Sequence, residues 1–311
     1  MENKKILVTG GSGMVGSFLK DIMPEAIYLS SKDCDLTNQE SVQKYFNYIK
    51  PDIVVHLAAK VGGIIDNIAY PAEYFDENIL MNTFVLRASR QVGVKQFIGI
   101  LSTCVYPDKV DKYPMTEDKI HIGPPTYTNF SYGYAKRCMA VQIEAYNRQY
   151  GTNYSCLIPT NLYGEYDKFN DNSSHFVTAL INKIHKAKTL GSDKITLMGT
   201  GTPIRQFMYA KDFAKYIKEC IEKNVTDNLN VACNETFSIK QIAEIALRSC
   251  DAEHLLIEFD STKPDGQHRK DVSNEKMMSL MPDFKITSLE DGIKRTYKKA
   301  LELDKLNSSN L

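Results

Sequence analysis

The chain has 311 residues, 43% hydrophobic and 24% charged, an ordinary globular composition with room for one large domain or two lobes. Lys plus Arg total 38 and Asp plus Glu total 38. With no net charge there is no global attraction to nucleic acid or to an anionic membrane, so any anion site must be local.

The first predicted element, "KKILVTGG" (4–11), reads as a buried strand. Too few apolar residues precede its first glycine for a signal-peptide core. Gly10, Gly13 and Gly16 follow in a GxxGxxG spacing that opens a helix over 13–23. The first glycine permits a tight turn, the second lets a phosphate approach the backbone, and the third lets helix and strand pack closely. The free N–H groups of this turn, around Ser12, Met14 and Val15, then face a pyrophosphate; a plain tight turn is the alternative. The second strand, 26–31, ends in "YLSSKD". An NAD site wants a carboxylate there, on the ribose 2′-hydroxyl. Ser30, Ser31 and Lys32 suit a 2′-phosphate better, which favours NADP(H), although Asp33 is close enough to keep NAD open. Asp35 and Leu36 are placed to border the adenine.

A helix over 39–49, a buried strand over 51–59 and a long helix over 71–93 come next. The strand over 95–103 ends in Ser102 and is followed by Cys104. The helix over 132–151 carries Tyr132 and Lys136, an i, i+4 pair on one face. An ammonium beside the phenol is expected to lower its pKa and make it an acid or base, with the Ser102 hydroxyl on the substrate oxygen. A surface helix pair is the alternative. A strand and its exit loop follow at 154–164. Val/Ile/Leu strands alternating with helices predict a doubly wound parallel sheet. Beyond 164 the pattern turns irregular, with helices at about 174–189, 211–223, 238–249 and 288–303, and predicts a smaller second lobe. The tail "LNSSNL" is expected to fray. No run reaches the roughly 18 apolar residues of a membrane span. The seven scattered cysteines show no CxxC and no ligand-spaced cluster, which predicts reduced thiols in a cytoplasmic protein and no metal.

On "LVTGGSGMVG", "HLAAKVGGI", "LSTCVYPDK", "YGYAKR", "IPTNLYGEYDKFN", "SSHFVTALI", "GTGTPIRQFMY" and "KPDGQHRK", the chain resembles the extended short-chain dehydrogenase/reductases. More narrowly, it resembles the GDP-L-fucose synthase family. The resemblance implies an NADPH-dependent enzyme with a Rossmann domain over 1–164 plus about 205–233. A nucleotide-sugar lobe would occupy about 165–204 plus 234–311. It implies Ser102, Tyr132 and Lys136 as the reducing set, with Cys104 and His175 exchanging protons at carbons 3 and 5 of a GDP-4-keto-sugar. Taken from the residues alone, Cys104 is equally a buried apolar thiol, and His175 a helix-start cap or a nucleotide contact. Further cofactor contacts implied are Ala58, Ala59, Leu101, Pro159, Asn161, Leu162 and His175. Arg205 and Lys183 resemble diphosphate contacts, Asp265 a ribose contact, and Lys263, Arg269 and Lys270 local positive charge; solvated surface residues are the alternative for the cations. Asn161 and the 58–64 stretch border the sugar. Relatives pair through the two long helices, so a homodimer is expected, using apolar residues such as Ile79, Phe84, Val85, Met139 and Val141. A 4-keto reductase without epimerase activity, acting on a GDP-heptose, stays open, as does a non-catalytic nucleotide-binding role.

Overall fold

Short runs rich in β-branched residues and Leu build the sheet, and amphipathic stretches between them build the helices. The structure is a computed structural model and describes residues 4–169, 175–263 and 265–308. In chain order the first half runs β1 (Ile6–Thr9), α1 (Met14–Ile22), β2 (Ile27–Leu29), α2 (Gln39–Ile49), β3 (Ile53–His56), α3 (Ile64–Ala69), α4 (Pro71–Val92), β4 (Gln96–Ile100), α5 (Phe130–Tyr150), β5 (Tyr154–Pro159) and β6 (Asn161–Tyr163). The second half runs α6 (Phe176–Thr189), β7 (Lys194–Met198), β8 (Ile204–Arg205), β9 (Phe207–Tyr209), α7 (Ala210–Glu222), β10 (Leu229–Val231), β11 (Phe237–Ser238), α8 (Ile239–Ser249), β12 (Leu256–Asp260), α9 (Glu275–Leu280) and α10 (Leu289–Ser308).

Six parallel strands form the main sheet in the order β10-β5-β4-β3-β1-β2. The chain leaves β1 for β2 on one side and returns to β3 on the other. That reversal opens a crevice above the carboxyl ends of β1 and β3, where open α/β sheets bind ligands. Both faces are covered: Ile6 and Val8 of β1 enter one apolar core, and Leu7 the other. Two-sided burial is why these strands read as continuous apolar runs rather than alternating ones. The core that holds Ile6 and Val8 continues into α6, α8 and α10 and the parallel pair β7/β12.

Local signals set several element ends. Asn38 caps α2 by accepting from Ser41 N at 2.9 Å. Pro71 opens α4, and Gly93 closes it at φ +81. Ser238 and Gln241 form a capping box on α8.

Four expectations change. The 154–164 run splits into β5 and β6, because β6 leaves the main sheet to pair with β9. The short helices α3 and α9 lacked a long enough periodic stretch to be seen. The expected frayed tail is helical through Ser308, while 309–311, and Ser174 at the expected start of the helix after the "SSH" stretch, lie outside the described residues. Val85 and Met139, expected on an outward face, are fully buried where α4 and α5 pack against each other and the sheet. Phe75 and Leu80 of α4 and Phe130, Tyr134, Val141 and Tyr150 of α5 are exposed. No helix among the described residues is long and apolar enough to cross a membrane.

Candidate active site

The glycine turn is shaped by close backbone approach. Gly10 sits at φ +69, and a Cβ there would lie 2.8 Å from Ala58 N, against the chain leaving β3. A Cβ on Gly16 would lie 2.6 Å from Gly11 O, so α1 presses directly on the turn. Gly13 caps α1 without a side chain. The N–H groups of the first helical turn, from Met14 onward, therefore have no intrahelical acceptor, and they point outward with the positive end of the helix dipole.

These groups open into a cavity of about 1130 Å³. The turn from Gly10 and Ser12 to Gly16 floors one part of it; Ser31, Asp35 and Leu36 border one end, and Ala58, Ala59 and Leu101 the middle. Ser102, Tyr132, Lys136, Pro159, Asn161, Leu162 and His175 line the other end. The volume, the glycine cradle and the outward N–H groups fit a dinucleotide with its pyrophosphate at the helix start. Lys32 is exposed and outside the cavity lining. Asp33, the candidate ribose carboxylate for NAD, is turned back on its own loop, accepting from Ser30 N at 2.8 Å and Ser30 Oγ at 2.6 Å. Those hydrogen bonds hold its carboxyl below the usual range. Asp35 is likewise tied to Thr37. With both carboxylates so engaged, the loop presents the Ser31 hydroxyl at the cavity, with the exposed Lys32 ammonium next to it in sequence.

Ser102 ends the exit from β4 in an extended conformation and starts a single 3-10 turn, Thr103–Val105. Helix α5 presses on that turn: a Cβ on Gly133 would lie 2.5 Å from Cys104 O and 2.9 Å from Pro125 Cβ. A glycine between Tyr132 and Tyr134 therefore lets the helix bring Tyr132 beside Cys104. Tyr134 turns outward under the Arg137 guanidinium, 5.2 Å away. Lys136 is fully buried, donates to Ile100 O at 2.8 Å, and sits 6.0 Å from the Tyr132 ring centroid. Burial pushes its pKa down to about 8. The phenol of Tyr132 does not follow the expected direction. Burial, with the Cys104 and Tyr74 charges adding to it, raises its pKa. Desolvation is the leading cause, which favours the neutral O–H form, a proton donor.

Cys104 receives two donors at its sulfur: Asn129 Nδ2 at 2.8 Å and Lys270 Nζ at 3.1 Å. Burial alone would raise the thiol, but the Lys270 charge and the hydrogen bonds from Ser102, Lys270 and Asn129 bring it below its ordinary value. Cys104 stands just beyond Ser102, outside the cavity lining. Across the cavity His175 precedes α6 and hydrogen-bonds Asp167 through Nδ1 at 2.9 Å. The hydrogen bond to Asp167 raises the imidazole pKa against a smaller opposing effect of burial. Asp167 is itself fixed by Thr178 Oγ1 at 2.6 Å and His175 N at 3.3 Å. Holding Nδ1 leaves Nε2 as the edge available to a ligand.

The expected diphosphate and ribose contacts lie away from the cavity lining, beside the smaller strand pairs. Lys183 donates to Thr196 O at 2.6 Å and is exposed. Arg205 is half-buried and donates to Ile204 O at 2.9 Å. Asp265, expected to accept ribose hydroxyls, already accepts from Thr200 N at 2.7 Å and Thr200 Oγ1 at 2.8 Å. Lys263 is exposed. Lys270 faces Cys104, and Arg269 is engaged by Asp271 at 2.6 and 3.0 Å. Sequence reasoning missed Asn129 and Asp167, since one Asn before a helix and one Asp in a loop carry no spacing signal. His56, fully buried between Thr9 Oγ1 (2.7 Å) and Asn82 Oδ1 (3.1 Å), is a structural residue whose pKa burial drives to about 3.

Residues 6–232 match the NAD dependent epimerase/dehydratase family. A GDP-L-fucose synthase of Dictyostelium discoideum is 40% identical over 303 residues, covering 94% of each chain. A crystal structure of a GDP-L-fucose synthetase from Naegleria fowleri bound to NADP superposes with a TM-score of 0.88 at 34% identity, covering 98% of this chain and 95% of that one. MlghC, a GDP-mannoheptose C4 reductase from Campylobacter jejuni with NADP bound, superposes with a TM-score of 0.87 at 27% identity, covering 97% and 99%.

Proposed function

Because the chain belongs to the NAD dependent epimerase/dehydratase family and, within it, to the GDP-L-fucose synthases, we propose that it converts a GDP-linked 4-keto-6-deoxy sugar in two stages. It epimerises carbons 3 and 5, and it then reduces carbon 4. The cofactor is NADPH, whose 2′-phosphate meets Ser31 and Lys32. Residues 1–164 plus about 205–233 are the dinucleotide half. Residues of about 165–204 plus 234–311 hold the nucleotide-sugar, with Arg205, Lys183 and Lys263 toward its diphosphate. Asp265 accepts from the ribose hydroxyls once the substrate displaces Thr200.

Each stage follows from the groups around the ketone. A proton beside a carbonyl leaves as the C–H electron pair moves onto the oxygen as an enolate. Hydrogen bonds from Ser102 and Tyr132 stabilise that oxygen. Cys104 as thiolate takes the proton and becomes a thiol. His175, whose affinity for a proton is raised by Asp167, returns a proton through Nε2 to the opposite face. When bound, the reduced nicotinamide supplies hydride to carbon 4. Tyr132, held as a neutral phenol, then gives its O–H proton to the carbonyl oxygen. The buried Lys136 ammonium stabilises the phenolate left behind.

The observation that carries this reading is the single cavity joining the glycine turn to Ser102, Tyr132, Lys136 and His175. The experiment is incubation of the chain with NADPH and GDP-4-keto-6-deoxymannose in heavy water. NADPH absorbance is expected to fall and deuterium to appear at carbons 3 and 5. NADPH loss without deuterium would establish the second reading, a 4-keto reductase alone. That reading is favoured by the backbone similarity to the C4 reductase MlghC. The exposed apolar residues of α4 and α5 are assigned to a homodimer contact, and the seven free thiols to a cytoplasmic setting.

A further inference from the structure

The sulfur of Cys104 is reached by elements that are far apart in sequence. Asn129 immediately precedes α5 and brings Nδ2 to 2.8 Å. Lys270, 166 residues away, brings Nζ to 3.1 Å. Both groups donate. A sulfur that accepts from an amide N–H and from an ammonium is arranged as an anion, because a neutral thiol gains far less from two donors.

The backbone carrying Lys270 is fixed from both sides. Toward the main sheet, Met115 N donates to Asp271 O at 3.0 Å, Ser273 N to Met115 O at 2.8 Å, and Gln267 Nε2 to Asp108 O at 2.9 Å. Toward the smaller strand pairs, Ile204 N donates to His268 O at 2.8 Å and Val272 N to Gln206 Oε1 at 2.9 Å. The neighbouring Arg269 is drawn off by Asp271 and stacks on Tyr113, 4.9 Å from its ring centroid. Lys270 is thus the ammonium delivered inward. Among the described residues, the Tyr132 phenol and the Arg205 guanidinium also act on the sulfur, and Lys270 is the cation hydrogen-bonded to it.

We infer that Lys270 and Asn129 are positioning residues for the epimerisation step: Lys270 keeps Cys104 ionised, Asn129 aims the sulfur, and the base is complete only where residues 267–273 bridge the two halves of the molecule. This deepens the proposed function and rests on Cys104 being the base there. The thiol gives its proton to solvent, and the resulting thiolate is what can accept a proton from carbon. The inference also separates the two stages, since Lys270 lies on Cys104 and outside the cavity that holds Lys136 and the dinucleotide turn.

The test is a titration of ultraviolet thiolate absorbance in the full chain. The other six thiols are pushed up by burial, Cys156, Cys220 and Cys250 to about 12 and Cys233 to about 11, with Cys34 and Cys138 also raised. Absorbance that develops below the ordinary thiol value of about 8.5 therefore belongs to Cys104, and Cys104→Ser is expected to remove it. Lys270→Met is expected to raise the midpoint by about one unit or more and Lys270→Arg to restore much of it. Asn129→Ala is expected to raise it by less. Unchanged NADPH affinity in Lys270→Met shows that the fold survives. A wild-type midpoint in Lys270→Met overturns the inference; if that variant does not fold, an unmoved midpoint in Asn129→Ala does so. The parent reading fails separately: deuterium exchange at carbons 3 and 5 that persists in Cys104→Ser removes the cysteine base whatever the titration shows.

Discussion

Gly10→Ala tests the reasoning about the dinucleotide cradle most directly, because a matched control exists in the same chain. Gly10 and Gly93 both have positive φ, +69 and +81. An alanine at either position pays the left-handed backbone cost of about 1–2 kcal/mol. At Gly93 nothing lies within 4 Å of the added Cβ, so that cost is the whole effect. At Gly10 the Cβ meets Ala58 N at 2.8 Å, Ala58 Cα at 2.9 Å and Leu57 C at 3.1 Å, all backbone. Reaching an ordinary contact of 3.4 Å needs a separation of about 0.6 Å between the exits of β1 and β3. Overpacking of this kind costs about 1–3 kcal/mol. The movement also strains the hydrogen bond from Ala58 N to Thr9 Oγ1, already 3.3 Å long. The sum for Gly10→Ala is about 2–5 kcal/mol, against about 1–2 kcal/mol for Gly93→Ala. For 311 residues the unfolding entropy is about 0.65 kcal/mol per degree, so Tm should fall by about 3–8 °C and about 2–3 °C respectively. Gly10 and Ala58 also line the cavity, so NADPH affinity is expected to drop about tenfold or more in Gly10→Ala and to stay unchanged in Gly93→Ala. Thermal unfolding and calorimetric titration with NADPH measure both. Equal Tm losses in the two variants, or full NADPH affinity in Gly10→Ala, would refute the close-approach argument.

Asp167→Asn should lower the His175 pKa toward its ordinary value, followed by NMR of the imidazole. The raised imidazole pKa contributes stability that is complete below the unfolded value of about 6.5 and lost as pH rises through the folded one. The lowered Asp167 pKa contributes stability present above the unfolded value of about 3.9 and lost as pH falls through the folded one. The Asn variant should therefore lose most stability between about pH 4 and 6.5, by about 1 kcal/mol because the imidazole is partly exposed; an equal loss at pH 9 would contradict the pairing. Asn82→Leu removes the partner of His56 Nε2 and the donor to Ala135 O. Leaving the buried His56 Nε2 unpaired should cost about 1–3 kcal/mol, read from denaturant unfolding, and a neutral result would show that the chain Thr9–His56–Asn82 is not structural.

Much of the site could be read from local spacing. A glycine after an apolar strand and two more at three-residue intervals specify a turn that only a close backbone approach requires, and Gly10 and Gly16 meet their neighbours as that spacing implies. Tyr132 and Lys136 share a helix face because four residues make about one turn. The direction of the Tyr132 pKa was not legible, since it depends on how completely the surrounding core excludes water. Nor was the contact surface of the two long helices, where the period shows which residues are apolar but not which of several apolar faces meets the sheet; Val85 and Met139 went inward.

The amino-acid order by itself determined the alternation of strands and helices, the glycine turn and the Tyr132/Lys136 pair on one helix face, since each depends on neighbours within one or two turns of chain. Which cation sits on Cys104, and which carboxylate orients His175, was decided only by the tertiary structure. Lys270 reaches its sulfur because strand bridges from Met115 and Ile204 hold a remote segment in place. Charge interactions act through a few ångströms of space, and sequence separation does not report that distance.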